Sequence, residues 1–193
     1  MGGRLGLIVP PHDPLTWFPS GAHVTGAVAG DILLVNHGTD VARAISAGQW
    51  FIAHTTQREL RGFTWNDHTA FVIDEGHVSE MGPRGHEIRA LDVYDDQLCC
   101  LIHIRCTDIQ RDAALAFDRS CWSADYGWWQ YVPFIVNGLT ATKFSAGYGD
   151  DLICSTHVTM VAMAMGLFPD RPPESVMPAH VSRWFDAKPP QSG

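Results

Sequence analysis

Three residues of the types that perform nucleophilic catalysis are spread along this chain: His68, Glu80 and Cys154. A cysteine nucleophile needs an imidazole to take its proton and a third polar group to orient that imidazole. Such triads are defined by their geometry in the folded protein and not by their order in the sequence. This set therefore suggests acyl transfer through a thioester, if the fold brings the three side chains together.

The cysteine lies in a segment with the pattern of a helix. Residues 149–166 predict a helix of about four turns, with Asp150 or Asp151 as N-cap and Gly166 in the left-handed position after its end. One helical face carries Cys154, Val158, Val161, Ala162 and Met165. The cysteine then falls in the first turn, where the helix dipole and unpaired N–H groups favour a thiolate. Free cysteine is also among the most buried residue types, so simple core packing is the alternative.

The histidine and the glutamate lie on a predicted β-hairpin. Two β-prone runs, residues 68–73 and 77–81, are joined by the glycine-containing turn 74–76. Pairing across this turn makes His68 and Glu80 diagonal neighbours on one face of the sheet. A slip of one residue in the register would separate them, so their partnership depends on this pairing.

Other carboxylates compete with Glu80 for the role of orienting the histidine. Asp74 and Glu75 lie in the predicted turn, where we expect them to be solvated. Asp67 directly precedes His68 and remains an alternative to Glu80.

The remaining patterns predict a single domain over residues 1–193, with a Pro- and Gly-rich N-terminal arm at 1–29 and a core at 30–185. Strands are predicted at 30–35 and 98–104, and helices at 40–49 and 108–120. Asp40 and Asp108 are the expected N-caps of these helices. The aromatic segment at 120–150 contains a dense stretch, Trp122 to Tyr131, that either fills the core or lines an apolar cleft.

The composition limits the partners and the compartment. With 46% hydrophobic residues the chain has the content of a folded globule, and its net charge of −8 argues against nucleic acid or an anionic membrane surface as a partner. No apolar run approaches the length of a membrane span, and no secretory signal is recognisable. Five cysteines without a repeating spacing do not form a disulfide framework. We expect a cytoplasmic protein in a reducing compartment.

The ten histidines raise the question of a metal site. Most are scattered singly, without the HExxH or CxxC spacings that bring ligands together. The scattered residues are His12, His23, His37, His54, His77, His86, His103 and His180. We therefore expect no metal and no other cofactor.

Five short segments together resemble a known enzyme family. They are Gly30-Asp31-Ile32-Leu33, His68-Thr69-Ala70-Phe71-Val72-Ile73, Ser79-Glu80-Met81-Gly82-Pro83, Cys154-Ser155 and Met177-Pro178-Ala179. In this order and spacing they resemble the circularly permuted NlpC-type, papain-like cysteine hydrolases, and most of all the YiiX-like branch. The permuted group also includes lecithin:retinol acyltransferase-like enzymes. The N-terminal arm and the aromatic segment do not match the family's pattern, which leaves the substrate open.

The resemblance implies an α+β fold in which a small antiparallel sheet packs against the cysteine-bearing helix. It also implies that Cys154 is the nucleophile, His68 the base and Glu80 the orienting residue. The expected function is a thiol hydrolase, a cysteine peptidase or amidase, that cleaves an amide bond in a cell-wall peptide or an acylated amine. Acyl transfer from the same thioester to an amine or alcohol is an alternative. A catalytically silent binding module with the same fold is another.

Overall fold

The computed structural model describes residues 12–82, 84–124, 153–167 and 172–190. These residues form a mixed α+β fold, which confirms the expected class. The strands are β1 (Thr16–Phe18), β2 (Ile32–Asn36), β3 (His68–Val72), β4 (His77–Gly82), β5 (Gly85–Ala90) and β6 (Leu98–Ile102). The α-helices are α1 (Asp40–Thr55), α2 (Asp108–Ser120), α3 (Cys154–Ala164) and α4 (Pro178–Trp184). Short 3-10 helices occur at Arg58–Leu60, Leu91–Tyr94 and Pro173–Ser175.

The strands form one antiparallel sheet in the order β1-β6-β2-β3-β4-β5. The strand predicted at 98–104 is β6, which lies inside the sheet between β1 and β2. Part of the predicted N-terminal arm is an edge strand of this sheet, because β1 pairs with β6 from Thr16 opposite Leu101 onward. In β1, the ring of Trp17 packs against that of Trp65, with the ring centroids 4.9 Å apart. The arm is thus joined to the core by backbone pairing as well as by aromatic contact.

The sheet is covered on both faces, which explains why β2 reads as an unbroken apolar run. One face, with Ile32, Leu34 and Phe71, packs against α2 and α3. The other face, with Leu33 and Val35, belongs to a second cluster. The five residues of the predicted apolar face of α3 are all buried. The polar side chains of α3 are mostly buried too: Ser155, His157 and Thr159 have no exposed surface.

The predicted hairpin is confirmed, with the expected register. Phe71 lies opposite Ser79, and Val72 lies opposite Val78. At the turn, the Ile73 N–H donates to the carbonyl of His77 at 3.0 Å. The chain then turns again at residues 82–85 and adds β5 on the far side of β4.

The predicted N-caps of α1 and α2 are wrong by one residue. Both helices begin at the predicted aspartates, but the capping side chains are Thr39 and Thr107. Each threonine Oγ1 accepts a hydrogen bond from a first-turn N–H, at 3.2 Å from Ala42 and 3.3 Å from Gln110. Helix α1 also continues to Thr55, beyond the predicted end at residue 49. In this extension Ile52 and Ala53 are buried, whereas Trp50 and Phe51 are exposed.

Helix α3 is shorter than predicted at its start. It begins at Cys154 with Ile153 as the N-cap residue, so neither predicted aspartate is the cap. Asp150 and Asp151 lie outside the described residues, as does most of the aromatic segment. The predicted end is confirmed: Gly166 follows the helix with φ of +80°, a conformation that glycine adopts without strain.

Within the described ranges, no helix has the length and apolar character needed to cross a membrane. All five cysteines are free thiols.

Candidate active site

Three elements bring the candidate catalytic residues together. His68 is the first residue of β3 and lies opposite Val35 of β2. Glu80 lies in the middle of the adjacent strand β4. Cys154 is the first residue of α3, which packs across β3 and β4. The start of the helix therefore meets the start of β3.

The pairing of His68 with Glu80 follows directly from the hairpin register. The Nε2 atom of His68 lies 2.5 Å from Oε2 of Glu80. The Glu80 side chain is 3% exposed and also accepts hydrogen bonds from the Tyr94 hydroxyl and from Nη1 of Arg89, the latter at 3.2 Å. Burial by itself would raise the pKa of Glu80, but His68, Tyr94 and Arg89 together lower this pKa to about 2. Glu80 is therefore an ionised hydrogen-bond acceptor at neutral pH.

The histidine ring links the glutamate to the cysteine. Since Nε2 faces Glu80, Nδ1 is the ring nitrogen left to face the Cys154 thiol, which is near enough to raise the pKa of the ring. Burial disfavours the imidazolium, yet the charges of Glu80 and Cys154 outweigh it and hold the pKa of His68 well above its ordinary value. The arrangement favours a proton on His68 next to a sulfur at the start of a helix.

The start of α3 adds a second feature of acyl-transfer sites. In any α-helix the N–H groups of the first turn have no acceptor within the helix, and here they belong to Cys154 and its neighbours. The N-cap residue Ile153 has no side-chain acceptor to satisfy them. They are consequently suited to stabilise an oxyanion beside the sulfur. Cys154 is 3% exposed and the His68 side chain 12%, so only a small part of the pair is open to solvent.

The structure separates Glu80 from its competitors. Asp67 is buried and bonded to His37: its carboxylate accepts from the His37 N–H at 3.1 Å and lies 3.0 Å from Nδ1 of the ring. Asp74 accepts from Gly76 in the turn and pairs with His77 at the surface. Glu80 is thus the carboxylate that contacts His68.

Sequence reasoning missed three residues that surround this site. Tyr94 and Arg89 both contact Glu80, and the ring of His37 lies edge-on to that of His68 with centroids 4.8 Å apart. The sequence could have indicated Arg89 only through the pairing of β4 with β5, in which Arg89 lies opposite Val78. Val78 shares a strand face with Glu80, so Arg89 is a diagonal neighbour of the carboxylate. Tyr94 carried no comparable signal.

Among the described residues, one group has the geometry to hold a metal ion: His86, Asp118 and His157. It is separate from the candidate triad. Comparison with known protein families finds no match for this chain, and comparison with curated proteins finds none either.

Proposed function

We propose that the protein is a thiol hydrolase that cleaves an amide bond, in a cell-wall peptide or an acylated amine, through an acyl-enzyme on Cys154. The observation that carries the proposal is the position of His68, which contacts Glu80 at 2.5 Å and lies close enough to Cys154 for the cysteine to raise the pKa of the ring. This is the relation that a cysteine nucleophile, its base and an orienting carboxylate require. The resemblance of the five short segments to permuted NlpC-type hydrolases supports the same assignment.

The reaction would proceed in two steps. The Cys154 sulfur attacks the carbonyl carbon, and the resulting oxyanion lies at the start of α3. His68 then gives its proton to the leaving amine as the C–N bond breaks, which leaves an acyl thioester. A water molecule attacks the thioester and passes a proton to His68, and the acid leaves as the thiolate is restored. Throughout, Glu80 holds the ring through Nε2 and stabilises the imidazolium.

The test is a panel of peptide amides and acyl esters, with mass spectrometry to detect an acyl adduct on Cys154. We expect hydrolysis by the wild type and none by Cys154→Ala, because no other group is placed to form the thioester. Cys106→Ala is the matched control, since that half-buried thiol lies outside the site. Activity that persists in Cys154→Ala would refute the proposal. Product analysis with an added amine acceptor distinguishes hydrolysis from acyl transfer.

The roles of the other two residues predict a ranking of variants. His68→Ala should be nearly as severe as Cys154→Ala, because it removes both the base and the later acid. Glu80→Gln should be milder, since an amide oxygen still accepts from the ring but carries no charge. If Glu80→Gln lowered kcat more than His68→Ala, the assigned roles would be wrong. A panel in which no substrate reacts, together with no acyl adduct, would favour the silent binding module.

A further inference from the structure

A second group of polar side chains is buried behind the candidate active site. It consists of Ser79, His86, Asp118 and His157, from β4, β5, α2 and α3 respectively. Because side chains alternate along a strand, Ser79 points to the opposite face of β4 from Glu80. The side chains of His86, Asp118 and His157 are 4%, 2% and 0% exposed. Four separate elements thus place polar groups at one point in the interior.

The group converges on a single carboxylate oxygen. Oδ1 of Asp118 lies 2.9 Å from Nε2 of His157 and 3.6 Å from Nε2 of His86. The Ser79 hydroxyl donates to the same oxygen at 2.5 Å and lies 2.6 Å from Nε2 of His86. The other carboxylate oxygen, Oδ2, accepts from the Trp122 indole at 3.3 Å, which orients the carboxylate.

These distances are close to those of a metal centre. The two imidazole nitrogens and the carboxylate oxygen all lie within 4.8 Å of one another. In a tetrahedral zinc site, with ligands about 2.0–2.1 Å from the ion, neighbouring ligand atoms are about 3.3 Å apart. Small side-chain adjustments would therefore bring the two imidazole nitrogens and the carboxylate oxygen into the coordination sphere of one ion. Imidazole and carboxylate are also ligand types that zinc accepts.

The charge of the group points the same way. A buried carboxylate is normally paired with a cation or coordinated to a metal. Among the ion pairs of the described residues, Asp118 has only His86 and His157 as partners, and no lysine or arginine. A divalent cation would supply the missing positive charge.

We propose that His86, Asp118 and His157 bind one structural Zn²⁺ ion, with the Ser79 oxygen or a water molecule in the fourth position. Both imidazoles coordinate through Nε2, the nitrogen that faces Asp118 in each ring. The ion ties α3, which begins with Cys154, to α2 and to β5. This site does not depend on the proposed hydrolase activity. The expectation of no metal, drawn from the absence of spacing motifs, did not anticipate it because the ligands are dispersed along the chain.

The experiment measures metal binding by the full chain, without any substrate. Purified protein is dialysed against chelator, reloaded with Zn²⁺, freed of excess metal and analysed by mass spectrometry of its metal content. We expect about one zinc per chain, a higher Tm with zinc, and a lower Tm after chelation. Loading with Co²⁺ should give the visible bands of a tetrahedral site without a thiolate charge-transfer band.

Variants assign the site. His86→Gln and His157→Gln should lose stoichiometric zinc and the response of Tm to zinc. His77→Gln is the matched control, because this exposed histidine begins β4 and pairs only with Asp74 among the described residues. A wild-type protein that retains no zinc, with a Tm indifferent to zinc and chelator, would overturn the proposal even if the variants failed to fold. Full zinc retention in both variants, or a thiolate band with Co²⁺, would place the metal elsewhere and equally overturn it.

Discussion

Replacing Tyr94 by phenylalanine tests whether Glu80 is held as a buried, ionised carboxylate. Tyr94 is fully buried, and its hydroxyl donates to Oε2 of Glu80, the oxygen that also contacts His68. Burial and the negative charge of Glu80 raise the pKa of Tyr94, so the hydroxyl keeps its proton. Phenylalanine keeps the ring and removes only this donor.

The magnitude follows from the pKa of Glu80. The pKa of this carboxyl falls from an ordinary 4.5 to about 2. At about 1.4 kcal/mol per pKa unit, the fall corresponds to about 3 kcal/mol in favour of the ionised form. Three donors share this effect, from His68, Tyr94 and Arg89, and together they also offset the cost of burial. A hydrogen bond to a charged group contributes about 1.5–3 kcal/mol. We expect Tyr94→Phe to lower the free energy of unfolding by about 2 kcal/mol at pH 7.

The pH dependence has a definite sign. A carboxylate with a lowered pKa in the folded state stabilises the fold above its unfolded pKa, and this contribution is lost as the pH falls through the folded value. The difference between wild type and Tyr94→Phe should therefore be constant above about pH 4.5 and shrink as the pH approaches about 2. Urea unfolding at a series of pH values measures it directly. A difference below about 0.5 kcal/mol at pH 7, within the range of ordinary surface substitutions, would refute the reasoning, as would one that grows on acidification.

Two further predictions concern the reactive thiol and a helix cap. At pH 6, iodoacetamide should alkylate Cys154 before the more exposed Cys106. The reason is that Cys154 begins a helix beside His68, whose raised pKa keeps the ring a cation, whereas burial raises the pKa of Cys106. Peptide mass spectrometry locates the label. His68→Gln should abolish this preference, and a Cys154 that labels last in the wild type would instead indicate a packing role. Thr107→Ala should cost about 1 kcal/mol of unfolding free energy in urea, because it removes the capping box of α2; an unchanged midpoint would show that this cap does not stabilise the fold.

Local sequence was sufficient to predict the pairing of His68 with Glu80. A three-residue turn with a glycine sets the register of a hairpin, and the alternation of side chains then sets which residues share a face. Both effects act over a few residues. The end of α3 was predictable for a similar reason, because Gly166 marks it. Its start was not, since the helix begins at Cys154 with Ile153 as the cap and not with Asp150 or Asp151.

The caps show the limit of such local prediction. Aspartate and threonine are both favourable N-caps, and adjacent candidates such as Thr39 and Asp40 differ by one residue of register. Which side chain turns back to the first-turn N–H depends on the backbone that enters the helix. In α1 and α2 that backbone is extended at the threonine, so the threonine is the cap.

Only the tertiary structure decided how these local pieces combine. Cys154 approaches His68 because α3 packs across the sheet. Glu80 contacts His68, and Asp67 does not, because Asp67 is bonded to His37. Tyr94 reaches Glu80 from the segment after β5. Such contacts join residues far apart in the chain, and a single sequence contains no pattern that encodes their distance. The convergence of two histidines on Asp118 arises in the same way. The sequence by itself determined the chemistry of the side chains and their local pairing, and long-range packing determined which of them meet.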